Sequence, residues 1–188
     1  STGCAMPRTT PRWRRSERAL PESARTASVR RETRETTVSV ELSLDGSGRY
    51  QVSTGVGMLD HMLEQLAKHG LLDLTVDATG DIDRDPHHLI EDVGLVLGQA
   101  LDQALGERRG ITRFGHAVVP MDEALVLVAL DLGGRAHAGI EFKFERELLG
   151  QLPTENIGHF LAAFANEGRL NLHVRELAGE NDHHRIEA

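Results

Sequence analysis

Two similar stretches, "HMLEQLAKHGLLDLTV" at His61–Val76 and "HFLAAFANEGRLNLHV" at His159–Val174, decide the fold of this 188-residue chain. Aligned without gaps, they share His, Leu, Ala, Gly, Leu, Leu and Val, which is seven identities in sixteen positions. In each copy, apolar residues with helical spacing precede a Gly and then an alternating apolar segment, which predicts a helix followed by a strand. We interpret the pair as an internal duplication.

A second pair of similar motifs lies downstream of the two stretches. "DPHHLIED" occupies Asp85–Asp92 and "DHHRIEA" occupies Asp182–Ala188. The first histidines of these motifs follow the histidines that begin the two stretches by 26 and 24 residues. Each copy of the repeat therefore carries one histidine at a helix start and one "HHxIE" motif.

The remaining patterns extend the duplication over both halves. In the first half we predict a hairpin of strands 37–44 and 50–54, helix 58–69, strand 72–76, and a helix that Asp85 caps, with Pro86 as its first residue and Gly106 at its end. In the second half we predict strands 124–132 and 136–144, helix 153–166, strand 170–177 and a last helix capped by Asn181 or Asp182. These elements predict a two-layer α/β (α+β) fold of internally duplicated β-β-α-β-α halves. Each half is a sheet with its helices on one face, and the two helical layers pack together.

The first 34 residues differ in composition from the rest of the chain. They hold nine Arg and three Asp or Glu, a net charge of +6, whereas the rest holds 12 Lys or Arg against 26 Asp or Glu, a net charge of −14. Without apolar periodicity, residues 1–34 are interpreted as a disordered basic extension. A basic arm for nucleic acid is the alternative, which the acidic body disfavours. The two repeat halves are expected at residues 35–112 and 113–188.

The overall composition is typical of a soluble globular protein, with 39% hydrophobic and 27% charged residues. A single cysteine, Cys4, excludes intramolecular disulfides and a Cys-rich metal site. Apolar runs are shorter than a membrane span requires. We therefore expect a cytoplasmic protein without nucleic-acid or membrane partners.

The HHxIE motifs have the spacing of metal ligands on a helix. His87 and Glu91 are four residues apart and share one helix face, whereas His88 lies about 100° around the axis and faces a second centre. The same relation holds for His183 and Glu187, with the second histidine of that motif turned away. With the two helix-start histidines, the set divides into two sites of three imidazoles and one carboxylate. The predicted metal ligands are His61, His87, His88, Glu91, His159, His183, His184 and Glu187.

The chemistry of these donors leaves several metals open. Neutral imidazole with carboxylate suits Mn, Fe, Zn, Co or Ni, and the residue types do not choose among them. Four protein ligands around a six-coordinate ion leave two positions for substrate or water, which favours a catalytic site over a closed structural one. The four other histidines beyond residue 61 lack repeat partners and are interpreted as ordinary surface or core residues: His69, His116, His137 and His173.

Other polar residues are candidates for substrate contacts. Arg113 and Arg135 lie at predicted turns, where a guanidinium could bind a phosphate, although each alone also suits an ordinary surface arginine. Glu35 and Asp122 each precede a predicted strand and could transfer protons. The sequence pattern alone does not assign these roles.

Five motifs together resemble one enzyme family. "GVGMLDHMLEQLAKHG", "DPHHLIEDVGLVLGQAL", "RFGHAVVPMDE", "LDLGGR" and "NDHHRIEA" are similar, in order and spacing, to imidazoleglycerol-phosphate dehydratase of histidine biosynthesis. The resemblance runs from about Arg31 to the end of the sequence. It implies dehydration of D-erythro-imidazole glycerol phosphate to imidazole acetol phosphate through metal-coordinated imidazole or imidazolate. It also implies two Mn²⁺ per active site, between subunits of a 24-subunit homo-oligomer built from trimers.

The resemblance also implies roles for individual residues. It supports the eight metal ligands named above, assigns catalysis to Glu35, Glu91 and Glu187, and assigns substrate contacts to Glu35, His61, Arg113 and Arg135. In the family, the last helix continues past the second motif, and a "SSKG"-like tail reaches the phosphate. This sequence ends at Ala188, so we expect a truncated C-terminal helix and tail. Two alternatives stay open, a metal-clamped structural protein without turnover and a metal-dependent hydrolase or oxygenase.

Overall fold

The computed structural model describes residues 24–80 and 82–188. Within these residues, ten strands and four helices form two similar halves. The first half comprises β1 (Thr26–Glu32), β2 (Thr36–Ser43), β3 (Tyr50–Ser53), α1 (Gly57–Gly70), β4 (Asp73–Gly80) and α2 (His87–Leu105). The second comprises β5 (Phe114–Met121), β6 (Ala124–Asp131), β7 (His137–Glu141), β8 (Leu148–Leu149), β9 (Leu152–Pro153), α3 (Glu155–Glu167), β10 (Asn171–Ala178) and α4 (Asp182–Glu187).

The two four-stranded sheets have the same topology. Their strand orders are β1-β2-β4-β3 and β5-β6-β10-β7. In each sheet the last pair, β3 with β4 and β7 with β10, is parallel, and the other pairs are antiparallel. Both the order and the directions match strand for strand, which confirms the predicted α/β fold and its internal duplication. The short β8–β9 hairpin occurs in the second half of the sequence and has no counterpart among the strands described in the first half.

Each four-stranded sheet has one more strand than the sequence predicted, so apart from the β8–β9 hairpin the pattern of each half is β-β-β-α-β-α. The missed strands β1 and β5 are edge strands, and sheet edges bury little apolar surface. On β1 only Ala27 and Val29 pack against the core. The assignment of all of residues 1–34 to a disordered extension is therefore wrong for 26–32, which pair with β2. Residues 1–23 of that extension lie outside the described residues.

The predicted hairpin between residues 37–44 and 50–54 is also wrong. β3 does not pair with β2; it lies beyond β4 and runs parallel to it. The reason is the connection between β2 and β3, which crosses the start of β4. There the Asp73 carboxylate accepts hydrogen bonds from the backbone N–H groups of Ser47, at 2.8 Å, and Arg49, at 3.1 Å. Gly46 lies so close to the Asp73 backbone that a Cβ would collide with it.

The helices of the two halves pack together through α2 and α3, as predicted. α2 also packs on β1 and β2, and its residues Ile90, Val93 and Val96 are at most 1% exposed. A Cβ at Gly98 of α2 would lie 2.6 Å from the carbonyl oxygen of Phe164 on α3, so glycine is what permits this approach. Within the described ranges, no helix is long and apolar enough to cross a membrane.

Candidate active site

In both HHxIE motifs, the side chain two residues before the first histidine accepts a hydrogen bond from the backbone N–H of that histidine. Asp85 Oδ1 accepts a hydrogen bond from the His87 backbone N–H at 2.9 Å, and Asn181 Oδ1 accepts one from His183 at 2.9 Å. α2 begins at His87, one residue later than predicted. Pro86 is the N-cap residue, and its carbonyl oxygen accepts a hydrogen bond from the Ile90 backbone N–H. The duplication therefore extends to the hydrogen bonds that orient the motifs.

The helix-start histidine of the first half lies against the motif of the second half. His61 Nε2, on α1, is 2.5 Å from Glu187 Oε1 on α4. The same oxygen is 3.4 Å from His183 Nε2, one helical turn earlier. The predicted same-face arrangement of His183 and Glu187 is therefore present, and a histidine from 126 residues away in sequence faces the same carboxylate.

The reciprocal arrangement occurs in the other motif. The His159 ring, on α3, lies 5.0 Å from the His87 ring between centroids, and His87 Nε2 is 3.8 Å from Glu91 Oε2. His87 Nδ1 is 2.8 Å from the side-chain oxygen of Asn156, a residue only 1% exposed. Because an amide oxygen only accepts, this contact suits the tautomer with the proton on Nδ1, which would leave Nε2 available to a metal. Sequence reasoning missed Asn156, because nothing in the sequence brings α3 to the start of α2.

The second histidine of each motif faces away from the first and meets its own carboxylate. The His87 and His88 rings are 83° apart in orientation, and His88 Nδ1 is 2.8 Å from Glu35 Oε2. On α4, His184 Nδ1 is 2.8 Å from Glu123 Oε2. In both cases a carboxylate holds Nδ1, which leaves Nε2 as the nitrogen with a lone pair for a metal.

Glu123 is a second residue that sequence reasoning missed. The hydrogen bond from His184 lowers the pKa of Glu123 to about 2, helped by the backbone N–H of Asn181, and the same bond raises the pKa of His184. Asp122, one of the predicted proton-transfer candidates, lies 3.5 Å from His184 Nε2 and has a left-handed φ of 48° at the β5–β6 turn. The available signal is the "PMDE" motif, whose two adjacent carboxylates are both within reach of this histidine.

A buried ion-pair network anchors the short helix α4. The Asp182 carboxylate accepts hydrogen bonds from the backbone of Arg146, at 2.7 Å, and from the Arg185 guanidinium, at 2.6 Å. Arg185 also contacts Glu176 at 2.5 Å, and Asp182 and Arg185 are only 2% and 5% exposed. A six-residue helix is marginal by itself, so this network is what orients the histidines of α4.

The two predicted phosphate-binding arginines lie together, but away from His184. Arg113 forms an ion pair with Asp131, in which Nε lies 2.5 Å from Oδ1. This hydrogen bond lowers the pKa of the Asp131 carboxyl, and the charge of Arg135 lowers it further. Asp131 ends β6, whereas Asp122, beside His184, precedes its start. At about 3.3 Å per residue, the eight-residue strand β6 separates Asp131 from Asp122 by about 26 Å. One chain therefore does not bring these arginines to the α4 histidines.

The donors fit a metal site in type and orientation but not as a complete set in one chain. Within the described residues, no three His, Cys, Asp or Glu side chains converge closely enough to hold an ion. The chain instead presents two groups, which we call donor groups, each with two imidazoles and one carboxylate, plus two single imidazoles. The donor groups are His61, His183 and Glu187, and His87, His159 and Glu91; the single imidazoles are His88 and His184.

Comparison with known proteins identifies a consistent set of relatives. A family model described as imidazoleglycerol-phosphate dehydratase matches residues 54–188. A protein of that name from Dehalococcoides mccartyi is 57% identical over 164 residues, 87% of this chain and 82% of the relative. One from Methanothermobacter thermautotrophicus is 52% identical over 158 residues, 84% of this chain and 81% of the relative.

Solved structures agree with the sequence relatives. The structure of imidazoleglycerol-phosphate dehydratase from Staphylococcus aureus superposes with a TM-score of 0.78 at 32% identity, covering 87% of this chain and 90% of that one. The enzyme from Pyrococcus furiosus superposes with a TM-score of 0.74 at 36% identity, covering 85% of each chain. The fold and the duplicated topology described above are therefore similar to those of solved members of this family.

Proposed function

Because the chain belongs to the imidazoleglycerol-phosphate dehydratase family, hydro-lyases of histidine biosynthesis, we propose that it converts D-erythro-imidazole glycerol phosphate to imidazole acetol phosphate with two Mn²⁺ ions per active site. The observation that carries the metal assignment is the exchange between halves: each helix-start histidine faces the HHxIE motif of the other half. This exchange collects imidazole and carboxylate in the mixture that suits first-row divalent metals.

The proposed sites are completed by a neighbouring subunit. Each donor group has two imidazoles and one carboxylate, whereas His88 and His184 point away from them in the same chain. Adding one such single imidazole from a neighbour completes a set of three imidazoles and one carboxylate. All eight residues then serve as ligands, and the two sites of the pair use equivalent residues of the two repeat halves.

In this proposal the metal ions supply Lewis acidity that lets the substrate imidazole accept negative charge during dehydration. The chain's own carboxylates handle the protons. Glu35 lies 2.8 Å from His88, with its side chain 63% exposed, so it can reach both a ligand and a bound substrate. We assign Glu35 to the removal of the carbon-bound proton, after which hydroxide leaves the neighbouring carbon and is protonated to water. Glu91 and Glu187 are themselves ligands in this proposal, and their carboxylates balance the charge of the ions.

Arg113 and Arg135 are proposed to bind the substrate phosphate. Asp131 holds the Arg113 guanidinium at 2.5 Å, so its fork is oriented before substrate arrives. Along β6 the arginines lie about 26 Å from the α4 histidines of their own chain, so in this proposal they serve a site formed mainly by a neighbour. Sharing of substrate contacts and of metal ligands leads to the same requirement, an active site between subunits.

The surface of the second sheet supports a homo-oligomer. On the face of β6 that points away from the helices, the side chains are Leu125, Leu127, Ala129 and Asp131, whereas the equivalent face of β2 has Thr37, Ser39, Glu41 and Ser43. Beside β6, Phe114 and Val118 of β5 are 65% and 47% exposed. The outer face of β2 is polar, whereas that of its counterpart β6, together with the neighbouring part of β5, is largely apolar, which is typical of a surface that a partner covers. We propose that copies of this chain assemble as trimers and then as a 24-subunit particle.

The central test is turnover of the imidazole substrate by metal-stripped protein, with and without added Mn²⁺, alongside metal counted per chain. Activity that returns only with Mn²⁺, with about two ions per chain, is the expected result. His88→Ala should lose metal and lower the assembly size together, whereas His69→Ala, an exposed histidine of α1, should change neither. Two bound ions without turnover would instead favour a metal-clamped structural protein, and unchanged metal content in His88→Ala would exclude His88 as a ligand.

A further inference from the structure

Two histidines outside the donor groups lie side by side on the second sheet. His137 is on the edge strand β7 and His173 is on its neighbour β10, where His173 pairs in register with Gly139. Leu172 of β10 and Ala138 of β7 belong to the core or pack against it, so the two histidines share the opposite, outer face. Their ring centroids are 5.3 Å apart and their planes differ by 44°.

The nitrogens of the two rings face one point, above Gly139. A Cβ built on this glycine would lie 2.6 Å from His173 Nδ1 and 3.5 Å from His137 Nε2. Two nitrogens from two different rings therefore border the space that a side chain at position 139 would fill. Any residue other than glycine would close that space, and the imidazoles would have to turn away.

The ring spacing matches that of two imidazoles on one metal ion. With metal–nitrogen distances of 2.0–2.1 Å, two rings bound at 90–109° have centroids about 4.5–5.2 Å apart. The observed 5.3 Å is within a small side-chain adjustment of that range. The nearest opposing charge is Arg175, two residues beyond His173, which donates to the Gly139 carbonyl oxygen at 2.7 Å. Its charge is balanced by Glu141, 3.0 Å away.

We propose that His137 and His173 form a separate site for a divalent first-row metal of the kind that prefers imidazole: Cu²⁺, Ni²⁺ or Zn²⁺. The described residues supply no third protein donor here, so water completes the coordination. This donor set discriminates against Mn²⁺, which prefers oxygen ligands. A metal at this site links the edge strand β7 to the interior strand β10 and so stabilises that edge of the sheet.

The test is Ni²⁺ binding to the 188-residue chain by equilibrium dialysis, compared between the unmodified protein and three variants. His137→Gln changes an exposed edge residue and should bind one Ni²⁺ fewer per chain, or bind that ion at least about tenfold more weakly. Gly139→Ala keeps both imidazoles but fills the space between them, and it should show the same loss. His116→Gln, an exposed histidine of β5 on the same sheet, is the matched control and should bind as the unmodified chain does.

Because the readout is a difference between variants, it does not depend on whether the HHxIE motifs bind metal. Cu²⁺ electron paramagnetic resonance gives a second readout. The unmodified chain should show a signal with two coupled nitrogens that His137→Gln lacks and His116→Gln keeps. Equal Ni²⁺ stoichiometry and affinity in the unmodified chain, His137→Gln and Gly139→Ala would overturn the proposal, as would a Cu²⁺ signal that none of these variants changes.

Discussion

Adding a single methyl group at Gly94 should separate α2 from α3. A Cβ there would lie 2.7 Å from the Phe160 carbonyl oxygen, 3.2 Å from the Phe160 ring and 3.3 Å from Ala163 Cβ. Ordinary contact begins at 3.4 Å, so the helices must move apart by about 0.7 Å. Backbone cannot swing aside as a long side chain can, and such overpacking costs about 1–3 kcal/mol. The same substitution gains up to about 1 kcal/mol in helix propensity, which hides part of the cost.

A second helical glycine removes this ambiguity. Gly158, in α3, has no atom within 4 Å of the position that a Cβ would occupy, so Gly158→Ala gains helix propensity without a packing cost. Urea unfolding of both variants, measured on metal-free protein, should place Gly94→Ala about 1–3 kcal/mol below Gly158→Ala in free energy of unfolding. The displaced segment also carries His159, so Gly94→Ala should weaken metal binding as well. Equal stabilisation by both substitutions would refute the close approach of the two helices.

Three further outcomes follow from individual contacts. Arg49 holds the pKa of Asp73 well below its usual range. This carboxylate therefore stabilises the fold fully above about pH 4, near the ordinary pKa of Asp, and loses that effect progressively as the pH falls toward its depressed folded-state pKa. The difference in urea midpoint between Asp73→Asn and the unmodified chain should therefore shrink steadily from about pH 4 to about pH 2 without reaching zero there. Arg185→Met strands the buried carboxylate of Asp182 and should cost about 3–5 kcal/mol in urea unfolding; a loss below about 1 kcal/mol would contradict the network. Glu123→Gln should weaken Mn²⁺ binding about 10–100-fold by calorimetry, because the histidine that it holds loses its orienting carboxylate; unchanged affinity would count against that role.

The features that the sequence predicted are those with a local period. The helical spacing of the HHxIE motifs places His87 with Glu91 and turns His88 away, and the structure has this arrangement. The duplication was visible because both copies share the same helix–strand junction. The edge strands β1 and β5 escaped because a strand that pairs on one side only requires little apolar alternation. β3 was predicted as a strand, but with the wrong partner, because a six-residue connection across Asp73 determines that partner and no local pattern indicates the crossing.

The residues that escaped at the site share a different cause. Asn156 and Glu123 act on histidines 69 and 61 residues away, and their roles depend on how α3 and the β5–β6 turn pack against helix starts. A polar residue with a tertiary partner has no period and no motif of its own. The roles of such residues are recognised only in the structure, from their hydrogen bonds to histidine ring nitrogens.

The exchange of histidines between halves has a consequence for how this protein would fold and assemble. His61 reaches Glu187 only when α4 is docked, and α4 is docked by Asp182 and Arg185 of the second half. Neither half can therefore form a donor group alone. On the proposed function, each donor group also needs an imidazole from a neighbouring chain. Metal binding then adds its free energy to folding and to assembly at once, because the ligands are gathered only in the assembled state. Chelation should for this reason lower the thermal midpoint and the particle size together, and the midpoint should then depend on protein concentration.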